Sequence, residues 1–384
     1  LDMGVDYLYV GSSGNFTFTA KSDFQIYEAY INGTMISMKS LVLRGKGKPH
    51  INTLYIQSNG YISLDHSAQQ NRSWTGFSKL GVHSFRIDGT VYGGWIQTYS
   101  VADNGWDDLT INTGGYFYFE PYAQFRCDYL SIAGTFEAYM PLSIQSHTTV
   151  DNAYMHVRSG ALVTFDSRAA NRVYGPWTGQ SNVTLMTLVT ESGSNVYAGH
   201  TKFRIASATI SGNLESDPAG DVEITSMSIK NGGTVHFVSV SSMVGDTLTV
   251  ESNGVLDITW KAQPDNGSLG CTQSKITYTS IDVRGTVRAG SLDVLARTMV
   301  VAGQIDTSEG GYLTDTGPGA GVVSTLGSSG GSYGGRGGRG GTSSFTLAGR
   351  PYGDIFSKGT WGSGGGRNGS YKGGRGGGVI HVKV

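Results

Sequence analysis

The sequence predicts an all-β fold: a parallel β-solenoid (β-helix) of about thirteen coils, followed by a C-terminal glycine-rich module. Three observations carry this expectation. A strand, corner, strand phrase recurs along the chain, and apolar residues alternate with polar ones on both sides of the corner, which is the period of a strand. Glycine, the commonest residue at 59, marks the corners and then dominates the chain after Gly317. No stretch shows the 3.6-residue apolar period of an amphipathic helix.

The phrase is clearest in Leu54-Tyr-Ile-Gln-Ser-Asn-Gly-Tyr-Ile-Ser-Leu64, Leu109-Thr-Ile-Asn-Thr-Gly-Gly-Tyr-Phe-Tyr-Phe119 and Leu248-Thr-Val-Glu-Ser-Asn-Gly-Val-Leu-Asp-Ile258. Alternation puts Leu54, Ile56, Ile62 and Leu64 on one face and Tyr55, Tyr61 and Ser63 on the other. Gly14, Gly33, Gly60, Gly89, Gly115, Gly134, Gly160, Gly193, Gly212, Gly233, Gly254, Gly285 and Gly303 mark successive corners. Glycine is expected there because such turns call for positive φ. A β-sandwich also uses many short strands, but hairpin strands have no reason to share a phrase, whereas solenoid coils place equivalent residues in equivalent positions. At ~4.8 Å per coil the solenoid is a rod of roughly 60 Å. The longer intervals leave room for loops at Ser67–Gly76, Tyr174–Gln180 and Gln263–Gly270. The expected organisation is a solenoid over residues 1–315 and a glycine-rich module over 316–384 whose last segment, Val379–Val384, packs as a strand on the solenoid.

The chain of 384 residues is near neutral, with net charge −1 and only 15% charged residues. No long-range positive field draws in a polyanion, so nucleic acid is not an expected partner. No apolar run approaches the ~20 residues of a membrane helix, so membrane insertion is not expected. The first residue, Leu1, points to a mature product or a fragment. Six sequons, at Asn15, Asn32, Asn71, Asn182, Asn266 and Asn368, are the candidate glycosylation sites and point to an extracellular or cell-surface glycoprotein carrying N-linked glycans. Two cysteines cannot staple a chain of this size. Cys127 sits in a strand-like context as a small buried hydrophobe and Cys271 in a loop. Their expected separation of about six coils excludes an intrachain bridge, leaving both thiols free or Cys271 paired with a partner.

From Gly317 the chain runs through Gly317-Pro-Gly-Ala-Gly321, then Gly330-Gly-Ser-Tyr-Gly-Gly-Arg-Gly-Gly-Arg-Gly-Gly341. There follow Tyr352-Gly-Asp354, Trp361-Gly-Ser-Gly-Gly-Gly366 and Gly373-Gly-Arg-Gly-Gly-Gly-Val-Ile-His-Val382. This ordered series resembles the glycine-rich module of large β-helical surface and matrix proteins of plants, protists and bacteria. In those proteins GPG, GGxxGGxGG, YGD, GSGGG and GGGxI elements recur in that order. Lys358 departs from the pattern where a proline is expected. The resemblance implies an extracellular β-helical architecture and supplies no catalytic residues. Within the run, Arg336 and Arg339 are expected to reach surface carbonyls or carboxylates.

Signs of chemistry are sparse. Gly327-Ser-Ser-Gly-Gly331 and Gly330-Gly-Ser-Tyr-Gly334 match GxSxG, but a hydrolase elbow needs a following helix and a downstream acid and histidine, and only His381 lies downstream. There is no phosphate-binding loop and no metal-ligand spacing among the eight histidines, so no catalytic residue, cofactor or metal is assigned. His156, between inward Met155 and Val157, is expected to point to solvent. Asp103-Asn-Gly-Trp-Asp-Asp108 reads as a solvated acidic loop. Asp107-Asp108 and Gly199-His200 are only fragments of the polygalacturonase-like motif set. Outward Tyr55, Tyr61, Tyr116 and Tyr118 are candidates to stack on sugars, or to pack in ladders along the coils.

The function expected from these features is structural and non-enzymatic: self-assembly into a fibre, a mastigoneme-like surface hair, or a matrix or wall layer. The partners would be further copies, as a homo-oligomer or filament, and other surface or matrix proteins. A carbohydrate-binding adhesive module is the alternative, followed by a polysaccharide-active β-helix enzyme.

Overall fold

The computed structural model describes residues 2–18, 22–37, 41–44, 51–64, 78–80, 82–98, 106–121, 125–138, 143–145, 153–165, 181–218, 221–238, 240–258, 274–324, 327–333, 335–340, 348–353 and 360–384. Among these there is no helix, and the strands pair in parallel. The expected parallel β-solenoid is the fold observed. The chain forms two compact units, Leu1–Ala219 and Gly220–Val384, and the boundary expected at 315/316 falls inside the second. The three expected loops, with Cys271, Asn71 and Asn266, lie outside the described residues.

In the first unit, Asp2–Val10 pairs with Ser22–Ile31, and the same edge-to-edge stacking continues through Ile51–Ile56, Val82–Ile87, Trp106–Ile111, Phe125–Ile132, Tyr154–Val157 and Ser181–Thr190 to Asn195–Ile210. The register aligns Val10, Ile31, Ile56, Ile87, Ile111, Ile132, Val157, Thr190 and Ile210 in one buried column. Thr190 is the polar member, and its hydroxyl is satisfied by the amide of Gly212 at 3.2 Å. Across the corner, a second series of short strands stacks Met35, Ile62, Val91, Phe117, Phe136, Val163, Val196 and Leu214. Phe85, Phe117 and Phe136 meet edge to face with centroids 5.8 Å apart. Each such side chain contributes about 1.5–3 kcal/mol through burial. Leu54, Ile56, Ile62 and Leu64 are buried as alternation requires; Ser63, on the opposite phase, is buried as well.

The expected positive φ holds at two of the corner glycines, Gly160 and Gly193, and at three other corners it falls on the residue before the marked glycine, at Gly114, Gly232 and Asn253. Most of the remaining corner glycines have a different reason. Gly33, Gly60, Gly89, Gly115, Gly134, Gly212, Gly285 and Gly303 lie outside the left-handed region. What they lack is room. A Cβ on Gly89 would lie 2.2 Å from the carbonyl oxygen of Gly60, one on Gly134 2.2 Å from that of Gly115, and one on Gly285 2.3 Å from that of Gly254. The same carbonyls accept from the residue after the next corner: Thr90 N–H donates to Gly60 O, Thr135 to Gly115 O and Thr286 to Gly254 O, each at 2.9 Å. Glycine is selected because consecutive corners sit backbone on backbone.

In the second unit, Val222–Ile229, Ser242–Val250, Ser274–Val283 and Leu292–Val301 stack in parallel, as do Thr234–Phe237, Val255–Ile258, Thr286–Ala289 and Gln304–Asp306. After Asp306 the chain runs through the glycine-rich segment and returns as Ile380–Lys383, parallel to Leu292–Leu295. The amide of Leu292 donates to Val379 O at 2.8 Å, and His381 Nδ1 lies 2.8 Å from Asp293 Oδ1. The alternating tail does re-enter the sheet as a strand. Its register ends at Leu295, so the rest of Leu292–Val301 keeps an open edge: Val283 is 1% exposed, while Val301, next in its column, is 47% exposed.

Candidate functional site

Two regions of the surface carry ordered polar chemistry. The first lies on the outer face of the coils in the first unit. Register aligns Tyr9, Tyr30, Tyr55 and Arg86, and the Arg86 guanidinium sits 4.7 Å from the Tyr55 ring centroid. The corner residue Asp88 accepts from the Tyr55 hydroxyl, from Asn112 Nδ2 and from Arg86 Nε. Burial acts to raise the Asp88 carboxyl, but these donors outweigh it and hold the group below its ordinary value. The Tyr55 phenol is pushed up, chiefly because it donates to that carboxylate. Tyr116 donates to Glu137 Oε2 at 2.7 Å, and Tyr129 stacks on Tyr154 with centroids 5.2 Å apart.

Of the sugar-stacking candidates, Tyr55 and Tyr116 are thus tied into ladders between coils, and Tyr61 and Tyr118 are half-buried. Among the described residues of this unit the most exposed rings are Tyr7 at 68% and Tyr9 at 66%, in the first strand. Their alternation with Leu8 and Val10 was the available signal. His156 does take an outward position, but it is anchored, with Nε2 2.8 Å from Glu191 Oε1. Glu191 also accepts from Ser159 N–H at 3.0 Å, and that amide, followed by His156, holds its carboxyl low. Cys127 is buried as expected, its thiol 3.2 Å from Tyr129 O. Asp108 and His200 take outward strand positions, and Asp103 lies outside the described residues.

The second region is the glycine-rich segment, where separate motifs meet. The amide of Gly319 donates to Ser363 Oγ at 2.9 Å, and Ser363 Oγ donates to Tyr352 Oη at 2.8 Å, while the Tyr352 hydroxyl donates to Trp361 O. The GPG turn, the YGD tyrosine and the GSGGG serine therefore form one buried knot. The serines of the two GxSxG matches serve the backbone: Ser329 Oγ accepts from Val322 N–H at 2.7 Å, and Ser332 Oγ accepts from Gly337 N–H at 2.9 Å. Both are buried and committed, so neither is placed as a nucleophile.

Between them the backbone runs in close-packed layers. Gly362 N–H donates to Gly377 O at 2.9 Å, Gly365 N–H to Gly374 O at 2.8 Å, and Gly330 N–H to Gly338 O at 2.9 Å. A Cβ on Gly337, Gly340, Gly373 or Gly376 would strike a carbonyl of the neighbouring layer at 2.4, 2.0, 2.4 and 1.7 Å, whereas Gly338, Gly374 and Gly377 face open space. Inward glycines three residues apart give the repeat of a polyproline-II strand.

Arg336 and Arg339, expected to reach carbonyls or carboxylates, are both exposed and have no such partner among the described residues. Acids are scarce in this part of the sequence. Residues 310–384 hold eight Lys and Arg against two Asp, while residues 1–309 hold twenty against twenty-seven Asp and Glu. The near-neutral total concealed this division, which counting by segment would have revealed. Of the two acids, Asp315 is engaged by Arg367, whose amide and Nε donate at 2.5 and 2.9 Å, and Asp354 lies outside the described residues. Among the sequons, Asn15, Asn182 and Asn368 are exposed, and Asn32 is half-buried at a corner. Comparison with known protein families, curated proteins and solved structures gives no match.

Proposed function

We propose that the chain is a structural, non-enzymatic component of an extracellular fibre, surface hair or matrix layer, assembled through the open end of its second unit. One observation carries this reading. The apolar columns of that unit lose cover at its last coil: Val301, which follows buried Val250 and Val283, is exposed, Ile305, which follows buried Leu256 and Val287, is half-buried, and Val382 on the returning strand is exposed. An uncovered strand edge with apolar residues is a template for another strand. Exposed Asn15, Asn182 and Asn368 leave room for glycans on the outer surface, and the assembled GPG, YGD and GSGGG elements support kinship with the glycine-rich β-helical surface proteins.

Sedimentation velocity over a hundredfold range of concentration is the test. Association that grows with concentration and is lost in Val301→Lys supports the proposal, and a single monomeric species throughout overturns it. A carbohydrate-binding role is favoured by exposed Tyr7 and Tyr9. A glycan array on the wild type and on Tyr7→Ala/Tyr9→Ala separates that reading from the first.

A further inference from the structure

We propose that the glycine-rich segment is a binding surface for an acidic polysaccharide, gripped by arginines presented on its three-residue repeat. The repeat fixes the side chains. Gly337, Gly340, Gly373 and Gly376 point into the neighbouring layer, and the residues immediately before them are Arg336, Arg339, Lys372 and Arg375, all exposed. Two strands therefore present cations in the same phase, spaced by roughly 9 Å along each strand at the polyproline-II rise. Arg336, Arg339, Arg350 and Arg375 have no carboxylate partner among the described residues, and the one described acid of the segment is held by Arg367.

Guanidinium groups favour carboxylate and sulfate oxygens, which they meet two bonds at a time. The backbone beneath them is locked by contacts that admit no Cβ, so the ordering cost of binding falls on the side chains and not on the backbone.

The partner is external. Five carboxylates of the coils are engaged by neighbours: Glu251 with Lys230 at 2.7 Å, Asp282 with Arg284 at 2.7 Å, Glu191 with His156 and Asp293 with His381 at 2.8 Å, and Asp88 with Tyr55, Asn112 and Arg86. The other acids of residues 1–309 make association between copies the competing outcome, which the experiment below separates. A nucleic acid would seek stacking platforms beside the cations. Tyr333, three residues before Arg336, has its ring against Gly353 and packs edge to face with Tyr352 at 5.2 Å. Tyr333 and Tyr371, 44% and 78% exposed, set aromatic faces beside these cations. Such faces stack on the apolar side of a sugar ring as well as on a base, so the surface suits a chain of uronate or sulfated sugars and poly(U) is the control that separates the two.

The experiment uses the full chain with four probes: polygalacturonate, dextran sulfate, neutral dextran and poly(U) RNA, each titrated at several salt concentrations. The expected result is binding to the first two and not to dextran. Replacing Arg336, Arg339 and Arg375 together by Gln should weaken binding at least about tenfold and reduce the log–log salt slope by roughly two to three, because each arginine displaces about one counterion. Replacing the same three by Lys should keep most of the salt slope, so loss in the Gln variant reports charge rather than misfolding. The proposal is overturned by equal binding to neutral dextran, by polygalacturonate binding that the Gln variant retains, or by poly(U) binding tighter than either acidic polysaccharide. It is overturned equally if no probe binds, or if the arginines govern only a salt-sensitive association between copies.

Discussion

Within the second unit, the coils over residues 221–306 and the glycine-rich segment after Gly310 are both tightly packed, but by different means. The coils hide apolar columns such as Ile229, Val250 and Val283 and use single crowded glycines at corners such as Gly285 and Gly303. The glycine-rich segment buries Ser329, Ser332 and Ser363 among glycines and is held by bonds between layers, such as Gly311 N–H to Gly376 O at 2.8 Å. The spacing of glycine therefore reports what the backbone faces. One per coil marks a corner stacked on a corner, and one in three marks a backbone packed on a backbone along its whole length.

The largest expected effect would break the second kind of packing. In Gly376→Ala the new Cβ would lie 1.7 Å from Gly362 O and 2.2 Å from its carbonyl carbon, with no flexible side chain to yield. The cost should exceed ~4 kcal/mol, the range of severe core damage. Hydrogen exchange should show the segment's amides losing protection while Ser274–Val283 keeps its own. Gly377→Ala, with open space around its Cβ, is the matched control and should be near neutral. Gly285→Ala breaks the first kind of packing. Its Cβ would lie 2.3 Å from two carbonyl oxygens of the preceding corner, Glu251 and Gly254, and a loss of about 3 kcal/mol in denaturant unfolding is expected. If Gly376→Ala proves as mild as Gly377→Ala, the layered description is wrong.

A smaller effect separates the outer face of the coils from their interior. Asp88→Ala leaves Tyr55, Asn112 and Arg86 without their shared acceptor and should cost ~2 kcal/mol. Because the folded carboxyl is held below its ordinary value of 3.8, its contribution is full above that pH and disappears as pH falls through the lower folded value. Glu191 behaves in the same way from 4.5. Stability measured between pH 6 and pH 3 should therefore fall in the wild type and fall less in Asp88→Ala. Parallel curves for the two proteins would remove Asp88 from the acid response.

The coil architecture was legible because alternation and the recurring phrase act locally, residue by residue, and register then follows from stacking like on like. Leu54, Ile56 and Ile62 were placed correctly on that ground alone. Positive φ was legible at Gly160 and Gly193, but the crowding at the other corner glycines was not. Positive φ is a property of one residue, whereas a Cβ clash with Gly60 O depends on a residue 29 positions away from Gly89. For the same reason the anchors of His156 on Glu191 and of Tyr55 on Asp88, 35 and 33 residues apart, could not be read from neighbours in sequence. The meeting of Tyr352, Ser363 and Gly319 was likewise hidden, because glycine composition signals close packing without saying which strands are adjacent.

The mildest prediction carries the opposite sign and tests how strictly the apolar columns exclude polar atoms. Tyr278 is 2% exposed, and its hydroxyl has no hydrogen-bond partner among the described residues. It stands opposite Gly245 on the preceding strand, where a Cβ would meet Tyr278 Cε1 at 2.5 Å and Ile224 O at 2.0 Å, so the missing side chain at Gly245 is what admits the ring. An unsatisfied buried hydroxyl costs about 1–3 kcal/mol, partly offset by the packing of the ring that carries it. Tyr278→Phe keeps the ring and removes the hydroxyl, so unfolding should become harder by ~1 kcal/mol. Burial also pushes the phenol far above its ordinary value of 10. A raised folded value means that stability is intact below pH 10 and falls above it, as the unfolded chain ionises first. The wild type should therefore weaken between pH 9 and pH 11 more than the Phe variant. If the two lose stability equally over that range, or if the variant is the less stable at pH 7, the hydroxyl has a partner and the column is less strictly apolar than its register implies.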